Sequence, residues 1–315
     1  MKAPRHVAIT GASGGLGRAL SLEYSRPGAV LSLCGRDREM LAATAALARR
    51  KGAQAFEALF DVRDPEALSA WLAASDRRAP LDLVIANAGI CRGVGEDGLE
   101  APWDAVDTLR VNAEGVMLTA LFAARIMRGR GRGQIAVISS QAAKVPLTWT
   151  PAYAASKAAA RSYALSLRDG MEACGVEVTA VCPGYLKSPM QETFSGGLFG
   201  AWSAARAAER IASDLRSNPR EIRFPFLMSF LAWAFNFLPR PFQPRVLRAF
   251  SFKVSAPGDG APAGEAGVEK DLPGKAETAE EAEAAGEEPE SGPAAETRAA
   301  AAGRAASGPR EGGSA

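Results

Sequence analysis

Short apolar, β-branched runs alternate with longer amphipathic stretches along the first two-thirds of the chain. Val7–Thr10 is the first such run, followed by glycines and an amphipathic stretch over Leu16–Arg26. Ala29–Cys34 predicts the next strand and Arg38–Lys51 a helix. Ala55–Phe60, Leu81–Ala86, Gln134–Ser139 and Val176–Cys182 continue the strand series, and Glu221–Phe224 closes it. Between them lie predicted helices over Pro65–Asp76 (with proline near the first helical position), Trp103–Arg128, Ala152–Cys174 and Ala201–Ser217. Strands alternating with helices imply βαβ units. The expectation is therefore an α/β fold with a Rossmann-type doubly wound parallel sheet of about seven strands. Right-handed crossovers in such a sheet place ligands beyond the carboxyl ends of the strands, where the strand order reverses. Gly11, Asn87, Ser140 and Pro183 all follow predicted strand ends.

The pattern changes twice near the C-terminus, dividing the chain into 1–225, 226–255 and 256–315. Between Pro225 and Pro239, only Ser229 and Asn236 interrupt an apolar run rich in aromatics. As a helix that run is about 20 Å long, too short for a bilayer core of about 30 Å. Residues 222–258 contain no acid but five bases, Arg223, Arg240, Arg245, Arg248 and Lys253, and eight of the thirteen phenylalanines. Two readings are open. One is a buried helix packed on the body or on another subunit. The other is a peripheral patch over 226–252 lying in a membrane interface, at the inner face, with its arginines toward anionic headgroups. Residues 256–315 are Ala, Gly, Glu and Pro with no aromatic, a composition that cannot offset its ordering entropy and predicts a disordered tail. The body is thus expected to be a single domain with an apolar extension.

The formal net charge of +2 hides an asymmetry, because residues 251–315 hold 13 acids and 6 bases. A basic body with an acidic tail hints at nucleic acid, but no basic stripe accompanies a recognition motif, so no nucleic-acid partner is expected. The four cysteines form no CxxC pair and no leader-like segment opens the chain. Together these predict reduced thiols and a cytoplasmic location. With His6 as the single histidine, no metal site is expected.

Three local patterns carry chemistry. The turn Thr10–Gly17, between the first strand and helix, lets backbone N–H groups approach a pyrophosphate at a helix N-terminus. Tyr153 and Lys157 stand four residues apart and share a helix face. A nearby ammonium favours the phenolate, so it is expected to draw the tyrosine pKa down toward working pH, suiting proton exchange with an alcohol or ketone. The second strand ends in Gly35-Arg36-Asp37. A glycine there, where NAD users place an acid, removes repulsion of a 2′-phosphate, and arginine offers a fork to bind it. NADP(H) is therefore expected over NAD(H), unless a one-residue shift turns Asp37 inward.

With these motifs, residues 5–225 resemble the short-chain dehydrogenase/reductases. The matching residues are Thr10–Gly17, Asp61-Val62, Asn87-Ala88-Gly89, Asn112, Ser140, Tyr153 with Lys157, and Pro183-Gly184. The resemblance implies a catalytic set of Asn112, Ser140, Tyr153 and Lys157. Tyr153 would exchange the proton, Lys157 would tune it and bond the ribose, Ser140 would polarise the substrate oxygen, and Asn112 would hold a relay water through its backbone. Ser139 is a competing serine one residue away. Cofactor contacts are implied for Gly11, Ser13, Gly15, Leu16, Gly17, Arg36, Asp61, Val62, Asn87, Gly89, Tyr153, Lys157, Pro183, Gly184 and Ser188. The activity implied is an NAD(P)-dependent oxidoreductase interconverting ketones and secondary alcohols, here an NADPH-dependent reductase of an apolar, lipid-like keto substrate, in a homodimer or homotetramer. A nucleotide-sugar epimerase or dehydratase of related fold would need a larger substrate domain after the sixth strand. A non-catalytic cofactor-binding redox sensor would be expected to lose the tyrosine or the lysine.

Overall fold

A computed structural model describes residues 3–187, 194–195, 200–239, 241–243, 245–246 and 253–254. The tail predicted over 256–315 lies outside the described residues, and so does Ser188. The strands are β1 (His6–Thr10), β2 (Val30–Gly35), β3 (Gln54–Leu59), β4 (Leu83–Ala86), β5 (Gly133–Ile138), β6 (Val176–Pro183) and β7 (Glu221–Phe224). All seven pair in parallel in the order β7-β6-β5-β4-β1-β2-β3. The order reverses between β1 and β4, whose carboxyl ends open the crevice where such folds bind ligands.

The helices are α1 (Gly15–Glu23), α2 (Arg38–Arg50), α3 (Pro65–Arg78), α4 (Pro102–Leu109), α5 (Val116–Arg128), α6 (Pro151–Met171), α7 (Ala204–Leu215) and α8 (Phe226–Phe235). Successive strand side chains point to opposite faces, so each strand feeds two cores. Val7, Ile9, Leu31, Leu33 and Ile85 meet Leu20, Leu41 and Ile211 of α1, α2 and α7 on one side. Ala8, Val84, Ile135, Val137 and Val178 meet Leu68, Leu72, Val116, Met127 and Ala160 of α3, α5 and α6 on the other. His6 belongs to this scaffold: its ring bonds the Ala79 carbonyl at 2.7 Å and Ser32 Oγ at 2.9 Å, and burial lowers its pKa.

Local signals set the helix starts. Asp37 and Asp64 accept from Met40 N and Ala67 N, each at 2.9 Å, and Pro65 follows its cap. Helix α6 is held from a distance, because the Glu100 carboxylate accepts from Ala152 N at 2.9 Å. The helix expected as continuous over Trp103–Arg128 is interrupted by a wide π-type turn, Arg110–Gly115, that separates α4 from α5. The apolar run forms α8 and is lodged beside β7 and a short 3-10 turn, Gln141–Lys144. Among the described residues no helix is long and apolar enough to cross a membrane.

Candidate active site

A cavity of about 940 Å³ opens at the carboxyl ends of the strands. The β1–α1 turn forms one end. Any side chain at Gly17 would collide with the Gly11 carbonyl and stand 2.6 Å from Asn87 Nδ2, so only glycine permits this close return of the chain. Asn87 ties the turn to β4: its Nδ2 donates to the Thr10 carbonyl at 2.9 Å and its backbone N–H donates to Thr10 Oγ1 at 3.0 Å. Gly14 begins α1 without a side-chain cap, leaving first-turn N–H groups toward the cavity. Gly11, Ser13, Gly15, Leu16, Gly17, Asn87 and Gly89 all line it.

At the end of β2, Gly35 presents no acid, and Ser13 Oγ lies 2.7 Å from where a Cβ on it would sit, so the serine hydroxyl occupies the space beside it. Asp37, the alternative acid, caps α2 by accepting from Met40 N through Oδ1, and it also lines the cavity. Arg36 stands at the rim with its side chain 56% exposed, 3.4 Å from Asp61. Burial tends to raise the Asp61 pKa, but hydrogen bonds from the Arg63 side chain and backbone outweigh it and hold the carboxyl below its usual value. Arg36, Asp61 and Val62 line the same end of the cavity.

Helix α6 carries the centre of the site. Tyr153 lines the cavity and shares a hydrogen bond with Ser140, the residue that starts the 3-10 turn after β5. Ser139 turns the other way: its Oγ donates to the Lys157 carbonyl at 2.7 Å and is buried. Lys157 is buried, its Nζ donating to the Ile138 carbonyl at 3.1 Å and lying 5.7 Å from the Tyr153 ring centroid. Burial pulls the Lys157 pKa down to about 8. It also pushes the Tyr153 hydroxyl above its usual value, against the lowering effect of the Ser140 hydrogen bond. The downward pull expected from the ammonium is thus not what the unliganded site presents: desolvation dominates, and Nζ is directed at Ile138.

Asn112 sits in the π-type turn with its side chain fully used. Oδ1 accepts from Ile90 N at 2.8 Å, and Nδ2 donates to the Ile90 carbonyl at 2.8 Å and to Ser156 Oγ at 3.2 Å. The side chain therefore pins the loop after β4 to α6, leaving any relay role to the backbone. Pro183 and Gly184 line the cavity, and Gly184 N donates to the Phe224 carbonyl at 2.7 Å.

The family model described as short chain dehydrogenase matches residues 5–197. The chain belongs to the short-chain dehydrogenase/reductase family. A Streptomyces virginiae protein assigned as the ketoacyl reductase of the monensin polyketide synthase is 31% identical over 226 residues, covering 69% of this chain and 87% of that one. Among solved structures, a variant of actinorhodin polyketide ketoreductase with NADPH superposes at a TM-score of 0.65. It is 23% identical and covers 73% of this chain and 98% of that chain. A short-chain dehydrogenase from Mycobacterium paratuberculosis bound to NAD gives 0.63 at 23% identity, covering 71% and 97%. Members of this oxidoreductase family bind NAD(P), and the glycine turn, the uncapped α1 and the cavity they open fit such a dinucleotide.

Three features of the site carry no sequence motif. Cys91 lines the cavity near Tyr153 and Lys157, and burial pushes its thiol up to about 12. Trp149 and Phe235 bury against each other with Val94, Val145 and Leu147, forming an apolar wall. Helix α8 adds Leu227, Met228, Leu231 and Leu238 to that end.

Proposed function

We propose that the protein is an NADPH-dependent reductase of an apolar keto substrate, running the reaction as ketone to secondary alcohol. The observation that carries this reading is the meeting of Tyr153, Ser140 and Lys157 in one cavity, beside a wall of apolar side chains from 145–149 and α8. When bound, the dinucleotide supplies the hydride. Ser140 donates a hydrogen bond to the substrate oxygen and polarises it. Tyr153 gives that oxygen its proton. Its raised pKa keeps the hydroxyl protonated before reaction, as a general acid requires. Lys157 supplies positive charge beneath the tyrosine ring and a donor toward the ribose. Asn112 holds the loop that carries Gly89 and Ile90 against α6.

The preference for NADP(H) rests on the end of β2, where Gly35 presents no acid, the Arg36 guanidinium stands at the rim and the Asp37 carboxylate is engaged through one oxygen at the start of α2. Gly11, Ser13, Gly15, Leu16 and Gly17 would take the pyrophosphate side. Asp61 and Val62 would flank the adenine, and Pro183 and Gly184 the nicotinamide. Residues 1–225 then act as the catalytic unit, and copies associate through faces of α4 and α6, where Trp103 and Ala155 are exposed. The test is oxidation of NADPH and of NADH against ketones of increasing chain length. The reading expects turnover that prefers NADPH and strengthens with apolar length; turnover only with short polar ketones, or none with any, would overturn it.

A further inference from the structure

Helix α8 is turned inside out for a surface helix, which ordinarily buries its apolar stripe and shows water its polar one. Its one polar residue, Ser229, is buried against the body, and Asn236, the exposed residue that caps its C-terminus, reaches back to it. Ser229 Oγ accepts from Gln141 Nε2, and Asn236 Nδ2 donates to the Lys144 carbonyl at 3.3 Å. Four aromatic side chains along the helix and just past it face out: Phe226 is 82% exposed, Phe230 49%, Trp233 56% and Phe237 71%. Three of these rings form a continuous row, with Phe230 and Trp233 centroids 5.8 Å apart and Trp233 and Phe237 4.7 Å apart. Monomeric proteins rarely leave so contiguous an apolar face to water.

The charge of the surrounding chain selects the occupant. Residues 222–258 carry five bases and no acid. An apolar aromatic face in a stretch of sequence that carries bases and no acid matches an anionic lipid surface, where rings enter the acyl boundary and basic side chains meet headgroups. We infer that the outer face of α8 docks the protein on an anionic phospholipid bilayer. The opposite side of the same helix lines the reaction cavity through Met228 and Phe235. Docking therefore sets the cavity wall against the membrane surface and gives a membrane-dissolved molecule a short path inward.

The test uses the full chain in co-sedimentation with two vesicle types: phosphatidylcholine alone, and phosphatidylcholine with phosphatidylglycerol in equal parts. The expected result is binding to the mixed vesicles that added salt weakens, with little binding to phosphatidylcholine alone. Replacing Phe226, Phe230, Trp233 and Phe237 together by serine should lower partitioning by at least about tenfold while leaving the thermal unfolding midpoint and dinucleotide binding in place. None of the four lines the cavity. Equal binding to both vesicles, or to neither, overturns the proposal. So does a wild-type dimer that the quadruple variant converts to monomer without either protein binding vesicles, because the occupant is then a second copy.

Discussion

Ser139 Oγ donates to the backbone carbonyl of Lys157 at 2.7 Å, so one of two adjacent serines is locked into helix α6 while Ser140 faces Tyr153. The alternation of an extended chain sends neighbours to opposite sides. Ser140→Ala should therefore lower kcat/KM by about a hundredfold to a thousandfold, the range for losing one donor to a developing oxyanion. Ser139→Ala should leave kcat nearly intact and cost about 1 kcal/mol of stability. Steady-state kinetics and urea unfolding of both variants separate the two roles.

Arg36 is the one cation at the end of β2 with a largely exposed guanidinium beside the cavity, and its 3.4 Å approach to Asp61 is a weak tie. Arg36→Ala should raise the KM for NADPH by about tenfold to a hundredfold, the worth of a charge-assisted contact, while changing that for NADH little. Parallel titrations with both dinucleotides check it.

Lys157 gives stability a pH signature. Its folded-state value of about 8 lies below the unfolded value of about 10.4. Between those values the unfolded chain binds more protons, so stability rises with pH across that window. Below about pH 8 the cost of the buried ammonium is present in full. The buried thiols of Cys34, Cys91 and Cys182, raised to about 12, act in the opposite sense over the same range, so the lysine is read from the difference: the urea midpoint of the wild type should gain on that of Lys157→Met as pH rises through this window. Dinucleotide affinity should move oppositely, falling as Lys157 loses its charge.

Glu221 joins three parts of the site's frame. It accepts from Lys144 Nζ at 2.9 Å, from Arg161 Nε at 2.9 Å and from Arg161 Nη2 at 3.0 Å, linking β7 to the 3-10 turn and to α6. Burial tends to raise its pKa, but these bonds, with that from Cys182, outweigh it and hold it down to about 2. Its contribution is present above about pH 4.3 and lost as pH falls toward about 2. Glu221→Ala removes the carboxylate from Lys144 and Arg161, and from the more distant, exposed Arg223, and should cost toward the low end of about 3–5 kcal/mol, since Arg161 keeps contact with water. Thermal unfolding on both sides of that acid window checks the size and the sign.

The parallel sheet was legible in the sequence because each strand is a short apolar run with a chemistry-bearing residue at its carboxyl end. Gly11, Asn87, Ser140 and Pro183 could be placed by order alone. What escaped depended on side-chain direction rather than spacing. Asp37 and Gly35 are two residues apart, and only the capping bond to Met40 shows which way the acid turns. The ammonium of Lys157 was expected to acidify Tyr153, yet three-dimensional burial raises the tyrosine. The π-type turn at Arg110–Gly115 is marked in the sequence only by Gly115 at its end, which a continuous helix also tolerates. The stripe formed by Ser229 and Asn236 was visible on α8, but whether it faced water or protein followed from Gln141 and Lys144, far away in the chain.

The most direct test of the central claim is the Tyr153→Phe variant, assayed for NADPH binding by fluorescence and for ketone reduction in the same preparation. The account predicts unchanged binding and turnover lowered by about a hundredfold to ten-thousandfold, the contribution of a positioned general acid. Ketone reduction at the wild-type rate by that variant would contradict it.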